Sequence, residues 1–378
     1  VPGPSIPDAL AGLGAQIGQY FSVVSLVPSF FLTMWTTALV TSGSWGSGVP
    51  DLRKMVQGIG GLNLSGAAWL LLTAIVFALF LHPLQVGLTR LMEGYWGSSP
   101  LSRQLLRMRI TRHRKRRAGL YELRNKLENR RDDYLLKLLR EEYYAKLSNG
   151  SPQAEDPDDW DERQRKFSLT TRLLDDDAHP VSGLHAAAAS IPAALGDYPS
   201  AARVMPTRFG NVLRQAEDTI GDHYGLKAIR TTPHLALVSP ELHLNYLQDT
   251  RQQMDTAVRL CATALAATAE SLLFLATDGW WLLVALAPYL LAYLSYRASV
   301  AAAREYTGMI QTLLDLNRFR LYENLHLKLP RDTDEERKNN VKLMSLLSGN
   351  DEVNLRYRHP AADTPSTGDA TPTPPKTP

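Results

Sequence analysis

The chain has 378 residues, 44% hydrophobic and 21% charged, with a formal net charge of +3. That length admits two ordinary soluble domains, and the small net charge conceals local blocks of both signs that matter more than the total. A single cysteine, Cys261, excludes an intramolecular disulfide and a cysteine-based metal site, and its place in an apolar run reads as packing.

Charge is strongly segregated. No Asp, Glu, Lys or Arg lies between Asp8 and Asp51, between Lys54 and Arg90, or between Asp278 and Arg297. Such runs reach the ~20 residues that cross a ~30 Å hydrocarbon core. Hydropathy predicts four spans, at about residues 20–41, 66–86, 258–277 and 280–299. The expected fold class is therefore all-α: an integral membrane protein with four transmembrane helices in two hairpins, and long helices extending into a cytoplasmic helical domain. The first apolar run follows no Lys or Arg and exceeds a signal-peptide core in length, so it reads as retained. Its GLGAQIG misses the dinucleotide-binding spacing and follows no strand, which leaves a small-residue helix face.

Orientation follows from the basic residues. Eight Lys or Arg fall between Arg103 and Arg117, and Arg251, Arg259, Arg297 and Arg304 flank spans three and four on the same side. Only Arg53 and Lys54 lie opposite, so the positive-inside rule puts both termini and the large central segment in the cytoplasm. Trp45, Trp280 and Trp281 then fall at the outer interface, where an aromatic belt is expected.

The pattern divides the chain into an N-terminal hairpin (1–90), a basic helical arm (91–149), an acidic and Ala-rich linker (150–200), a juxtamembrane segment (201–257), a second hairpin (258–299), a helical extension (300–350) and a disordered Pro/Thr-rich tail (351–378). The arm predicts one charged helix over 101–147 with Leu120, Leu123, Leu127, Tyr134 and Leu138 on one side, in the manner of a coiled-coil hairpin. Its basic start includes Arg112, Arg114, Lys115, Arg116 and Arg117. These form either a solvated face that fixes topology or a patch for anionic headgroups, where each charge gains ~1 kcal/mol. No aromatic platform accompanies them, so nucleic acid is not an expected partner.

The linker SNGSPQAEDPDDWDER has six carboxylates between Glu155 and Glu162, without the register of a calcium loop. Asp175–Asp177 form a second acidic cluster, and His179 and His185 have no companion at ligand spacing, so no metal or other cofactor is expected. In ARVMPTRFGNVLRQAEDTIGDHYGLKAI, Thr207 is placed to cap a helix bearing Phe209, Val212, Leu213, Ala216 and Ile220, with Gly225 as terminator. Arg203, Arg208 and Asn211 near its start are a candidate anion or partner site; the alternative is a docked helix with ordinary surface arginines. The RFGNVLRQAED segment followed by HYGLKAI, just before two closely spaced spans, resembles a group of uncharacterised bacterial multi-span membrane proteins found especially in actinobacteria. The likeness covers about residues 203–317 and implies topology only, with no activity and no functional residues to carry over.

Ser239, Pro240 and Glu241 open a helix that meets no breaker before Thr277, and span four continues to Pro330 with Tyr306, Ile310, Leu313, Leu321 and Leu325 as an apolar stripe. DTDEERKNNVKLMSLLSG reads as a short capped helix ending at Gly349.

Glu270 is the anomaly, a carboxylic acid inside span three. An ionised acid there costs at least ~2.5 kcal/mol on insertion scales, so a protonated side chain hydrogen-bonded to a neighbouring span is expected. Helical depth keeps His82 too far toward the inner side, and favours Tyr289 or the span-four backbone near Pro288, or Thr33, Thr36 or Thr37 of span one. Ala262, Ala266 and Ala269 would admit another helix close by. The acid either fixes helix rotation or lines a polar pathway.

No Walker loop, nucleophile elbow or HExxH occurs. The leading expectation is a non-enzymatic inner-membrane protein, a possible homo-oligomer, whose cytoplasmic helices bind a cytosolic or membrane protein partner for anchoring, signalling or an effector role. The rival is an oligomeric ion or small-solute channel or transporter using Glu270, and a membrane-tethered enzyme stands third.

Overall fold

The computed structural model describes residues 23–44, 50–148 apart from 52, 55, 56, 58, 59 and 62, then 180–349, 354, 355, 357 and 358. Trp45, the acidic run, Asp175–Asp177, His179 and the tail apart from 354, 355, 357 and 358 lie outside the described residues. Among the described residues the chain is helical, and its one β feature is an isolated bridge between Leu327 and Tyr357. The helices are α1 (Val23–Thr41), α2 (Leu64–Glu93), α3 (Pro100–Ser148), α4 (Pro180–Leu195), α5 (Arg208–Thr219), α6 (Ala228–Val238), α7 (Glu241–Phe274), α8 (Leu286–Asn324) and α9 (Thr333–Leu346). Three segments are long and apolar enough to cross a membrane: Leu64–Glu93, Glu241–Phe274 and Gly279–Asn324. In the first run, Leu26–Thr41 is a shorter apolar helix.

The chain divides into two compact units, one of residues 1–219 with 245–309, the other of 220–244 with 310–378. In the first, α1 packs on α2, α3 on α4, and α5 on α2. Its core is Phe209, Val212, Met254, Val258, Val300 and Ala303, with Leu88, Met92 and Tyr296 against it. Helix α2 starts where the Asn63 side chain accepts from the Gly66 N–H, and stops at Gly94, whose φ of 112° only glycine adopts readily. In the second unit Asp332 caps α9 by accepting from the Glu335 N–H at 2.8 Å. The buried Arg318–Glu336 pair (2.8 Å) lies beside a chain of hydrogen bonds from the Tyr322 hydroxyl to Asn340 and from Asn340 to the Tyr224 carbonyl. Every member of that chain has its partner, which is the condition for burying polar groups.

Several boundaries differ from the sequence reading. On α3 the buried seam is Leu135 and Leu139, one position on from the expected Tyr134 and Leu138, which are half-buried, a rotation of about 100° of the packed face. Helix α7 ends at Phe274 rather than Thr277: the chain turns through Asp278 to Gly279 at φ 56°, then winds as a 3₁₀ segment, Gly279–Ala285, into α8. Helix α8 ends at Asn324, short of Pro330, and His326 at φ 53° turns the chain toward its bridge. The residue that stops α5 is Gly221 (φ 82°); Gly225 (φ 72°) closes the next 3₁₀ turn.

Candidate functional site

Two polar constellations stand out in the first unit. One joins α1 to the apolar part of α7. The Thr36 hydroxyl donates to Glu270 Oε2 at 2.8 Å, and one residue away on both helices Trp35 Nε1 donates to Ser271 Oγ at 2.9 Å. Ser271 is fully buried and in turn donates to the Ala267 carbonyl. The two bonds fix the rotation and the axial register of α7 against α1, because sliding either helix by one residue breaks both. Of the sequence candidates for Glu270, Thr36 is the partner found. Thr33 and Thr37 donate to their own helix at the Ser29 and Thr33 carbonyls. Tyr289, 56% exposed, points away from the protein, and His82 is exposed too.

The second constellation sits where α4, α5 and α8 meet. Asp197, in the turn after α4, is 4% exposed at its side chain and takes a two-pronged grip from Arg304, Nε to Oδ1 and Nη2 to Oδ2, both 2.7 Å. Arg208 adds a third bond to Oδ2 at 3.2 Å, and its own N–H donates to the Tyr296 hydroxyl of α8 at 3.0 Å. A carboxylate answered by a planar fork is the strong form of the ion pair. Behind it, Tyr198 lies 3.1 Å from His113 Nδ1 of α3. Burial, and then the charges of Arg109, Arg116, Arg112 and Arg208, hold His113 down at about 4, so the ring is neutral at pH 7 and can accept the phenol proton. Burial raises the Tyr198 hydroxyl above its ordinary value, which keeps it a donor.

Local geometry explains RFGN residue by residue. Thr207 accepts from the Gly210 N–H at 2.9 Å, the expected cap, and its hydroxyl donates to the Glu93 carbonyl at the end of α2. A Cβ on Gly210 would overlap that same carbonyl oxygen, and a Cβ on Gly94 would overlap Pro206, so the two glycines set how closely α5 meets α2. Asn211 is wholly buried: its Oδ1 accepts from the Met205 N–H, and its Nδ2 donates to the Met205 and Thr207 carbonyls.

For the candidate anion site, the structure gives each member an internal partner. Arg208 meets Asp197, Arg203 meets Asp218 and, at 3.6 Å, Glu217, and Asn211 holds backbone. These residues form an internal clasp of helices, with their charge already answered. Asp197 and Arg304 carry it, and sequence reasoning missed both. The one available signal was a lone acid beside an Ala-rich, uncharged stretch. Among the five basic residues of the headgroup patch, Arg112, Arg114, Lys115 and Arg116 are exposed, Arg114 also donating to the Ala201 carbonyl, and half-buried Arg117 lies over the Tyr121 ring.

The chain matches no protein-family profile, no curated protein and no solved structure.

Proposed function

We propose that this chain is a non-enzymatic inner-membrane protein of four spans in two hairpins, both termini cytoplasmic, whose cytoplasmic helices bind a protein partner. The observation that carries the reading is apolar surface away from the spans. In the second unit Leu237 (87% exposed), Leu242 (63%) and Ile229 (62%) present side chains to solvent on α6 and the start of α7. We read these side chains as parts of one patch, and a contiguous exposed apolar patch marks an interaction surface. Support for the membrane setting comes from three membrane-length segments that show Phe80, Leu273 and Leu290 outward, one on each, as lipid-facing residues should. The basic segment after α2 supports the orientation. The resemblance of RFGNVLRQAED to bacterial multi-span proteins agrees with a multi-span topology.

Glu270 supports the rival, an oligomeric ion or solute pathway, because an acid in an apolar helix is a functional site by default. Its bond to Thr36 favours a rotation lock instead. A photocrosslinker placed at Ile229, with Leu237 and Leu242 left intact, tests the two readings against each other in native membranes. The proposal predicts a discrete crosslinked protein that disappears in Leu237→Glu/Leu242→Glu. Ion flux in reconstituted vesicles that is lost in Glu270→Gln, with no crosslink, would instead establish the pathway.

A further inference from the structure

We infer that one face of the first four turns of α3 rests on the anionic lipid headgroups of the membrane that α2 crosses, an inference that rests on reading α2 as a span. Only residues 94–99 separate α2 from α3, so the start of α3 is held at the bilayer surface by covalent connection. One face of α3 packs on the protein, where Ser102 and His113 are buried. About a third of a turn around the helix from it, Leu101 (69% exposed), Leu105 (39%) and Met108 (60%) continue into exposed Arg112 and Lys115 at i, i+4, i+7, i+11 and i+14, a single stripe of an α-helix. Exposed Arg107 flanks it.

The order along the stripe is informative. Apolar residues come first, next to the span, and cations follow, so that Leu101 enters the boundary between acyl chains and headgroups while Lys115 reaches phosphate some 21 Å further along the axis. No Asp or Glu occurs from Gly94 to Tyr121, and among the described residues no carboxylate pairs with Arg107, Arg112 or Lys115. The nearby buried acid, Asp197, is taken by Arg208 and Arg304. An anionic, laterally continuous, partly apolar partner satisfies both halves of the stripe. A nucleic acid satisfies only the basic half, since three exposed aliphatic side chains meet nothing on a phosphate backbone.

The sequence reading named Arg112, Arg114, Lys115, Arg116 and Arg117 as the patch. In the structure Arg114 donates to the Ala201 carbonyl and Arg117 lies over the Tyr121 ring of its own helix, while Leu101, Leu105 and Met108, with Arg107 beside them, join Arg112 and Lys115 in the stripe.

Full-length protein with Cys261→Ala, spin-labelled at Met108→Cys, tests this in nanodiscs of phosphatidylcholine with or without phosphatidylglycerol. The expected result is a several-fold fall in collision with a water-soluble nickel chelate, and a rise in collision with oxygen, when the anionic lipid is present. The charge-reversed Arg107→Glu/Arg112→Glu/Lys115→Glu form should restore water access. A label at Phe80→Cys serves as the internal reference. If it stays in lipid while the Met108 label is equally wet in both nanodiscs, or is shielded only when RNA is added, the headgroup inference is overturned and the span reading stands. If the Phe80 label is itself in water, the span reading fails, and the inference with it.

Discussion

The contact between α1 and α7 and the clasp around Asp197 hold helices together by different means. In the first, two hydrogen bonds between uncharged donors and their acceptors, Thr36 to Glu270 and Trp35 to Ser271, set rotation and register. In the second, one buried carboxylate gathers two arginines while Thr207, Gly210 and Asn211 fit α5 against the end of α2. If the proposed spans lie in lipid, the difference follows from solvent. Between apolar helices in lipid there is no hydrophobic gain from association, and a side-chain hydrogen bond contributes ~0.6 to 2 kcal/mol, enough to orient but little more. Where spans emerge into water, charges can be held at acceptable cost, and a charge-assisted network can hold several elements at once. The polar residue that looks most unusual in the sequence, Glu270, thus sits in the weaker of the two joints.

That ranking can be broken by mutation. The largest effect is expected from Gly210→Ala, whose Cβ would overlap the Glu93 carbonyl and force α5 off α2. Thermal unfolding in detergent should show a loss of about 3 kcal/mol, the upper end of overpacking costs. Asp197→Asn keeps the shape but leaves two arginines facing an amide. Because Arg304 and Arg208 remain 44% and 35% exposed, water relieves part of the penalty. A loss of about 2 kcal/mol is expected, below the range for fully buried pairs. Thr36→Val, which removes the donor to Glu270, should cost about 1 kcal/mol, and Glu270→Gln, which keeps an acceptor for Thr36, less than that. A greater loss from Thr36→Val than from Asp197→Asn would reverse the comparison.

A pH series sharpens the clasp further. His113 is held near 4 in the folded protein, against 6.5 ordinarily, so below pH 6.5 the unfolded chain binds a proton that the folded chain refuses. Its stabilisation is therefore fully present above pH 6.5 and lost progressively as pH falls toward 4. His113→Gln should flatten that part of the stability profile in chemical denaturation between pH 7 and 4.5, and an unchanged slope would remove His113 from the clasp.

What the sequence disclosed and what it hid divide along the same physical line. Local rules worked where nearby residues decide an element: Thr207 as the cap of α5, a short capped helix at α9, and the bounds of α3, predicted over 101–147 and observed over Pro100–Ser148. They failed where the deciding atom is far along the chain. Arg208 looked like a free cation because its acid depends on a turn after α4, and the second arginine on that acid is 107 residues away. The α3 seam was missed by one position, since tertiary packing and not local spacing decides which of two adjacent apolar rows is covered. Helical depth placed the partner of Glu270 on span one or four, and lateral packing, which depth does not encode, chose Thr36 over Tyr289.

The central claim is that the helices from α3 to α6 lie in the cytoplasm, between two membrane hairpins. Ser190→Cys in the Cys261→Ala background places a thiol at an exposed position of α4, and a membrane-impermeant maleimide reads which side it occupies. Labelling in inside-out vesicles with protection in intact spheroplasts is the predicted result, and labelling of intact spheroplasts would contradict it.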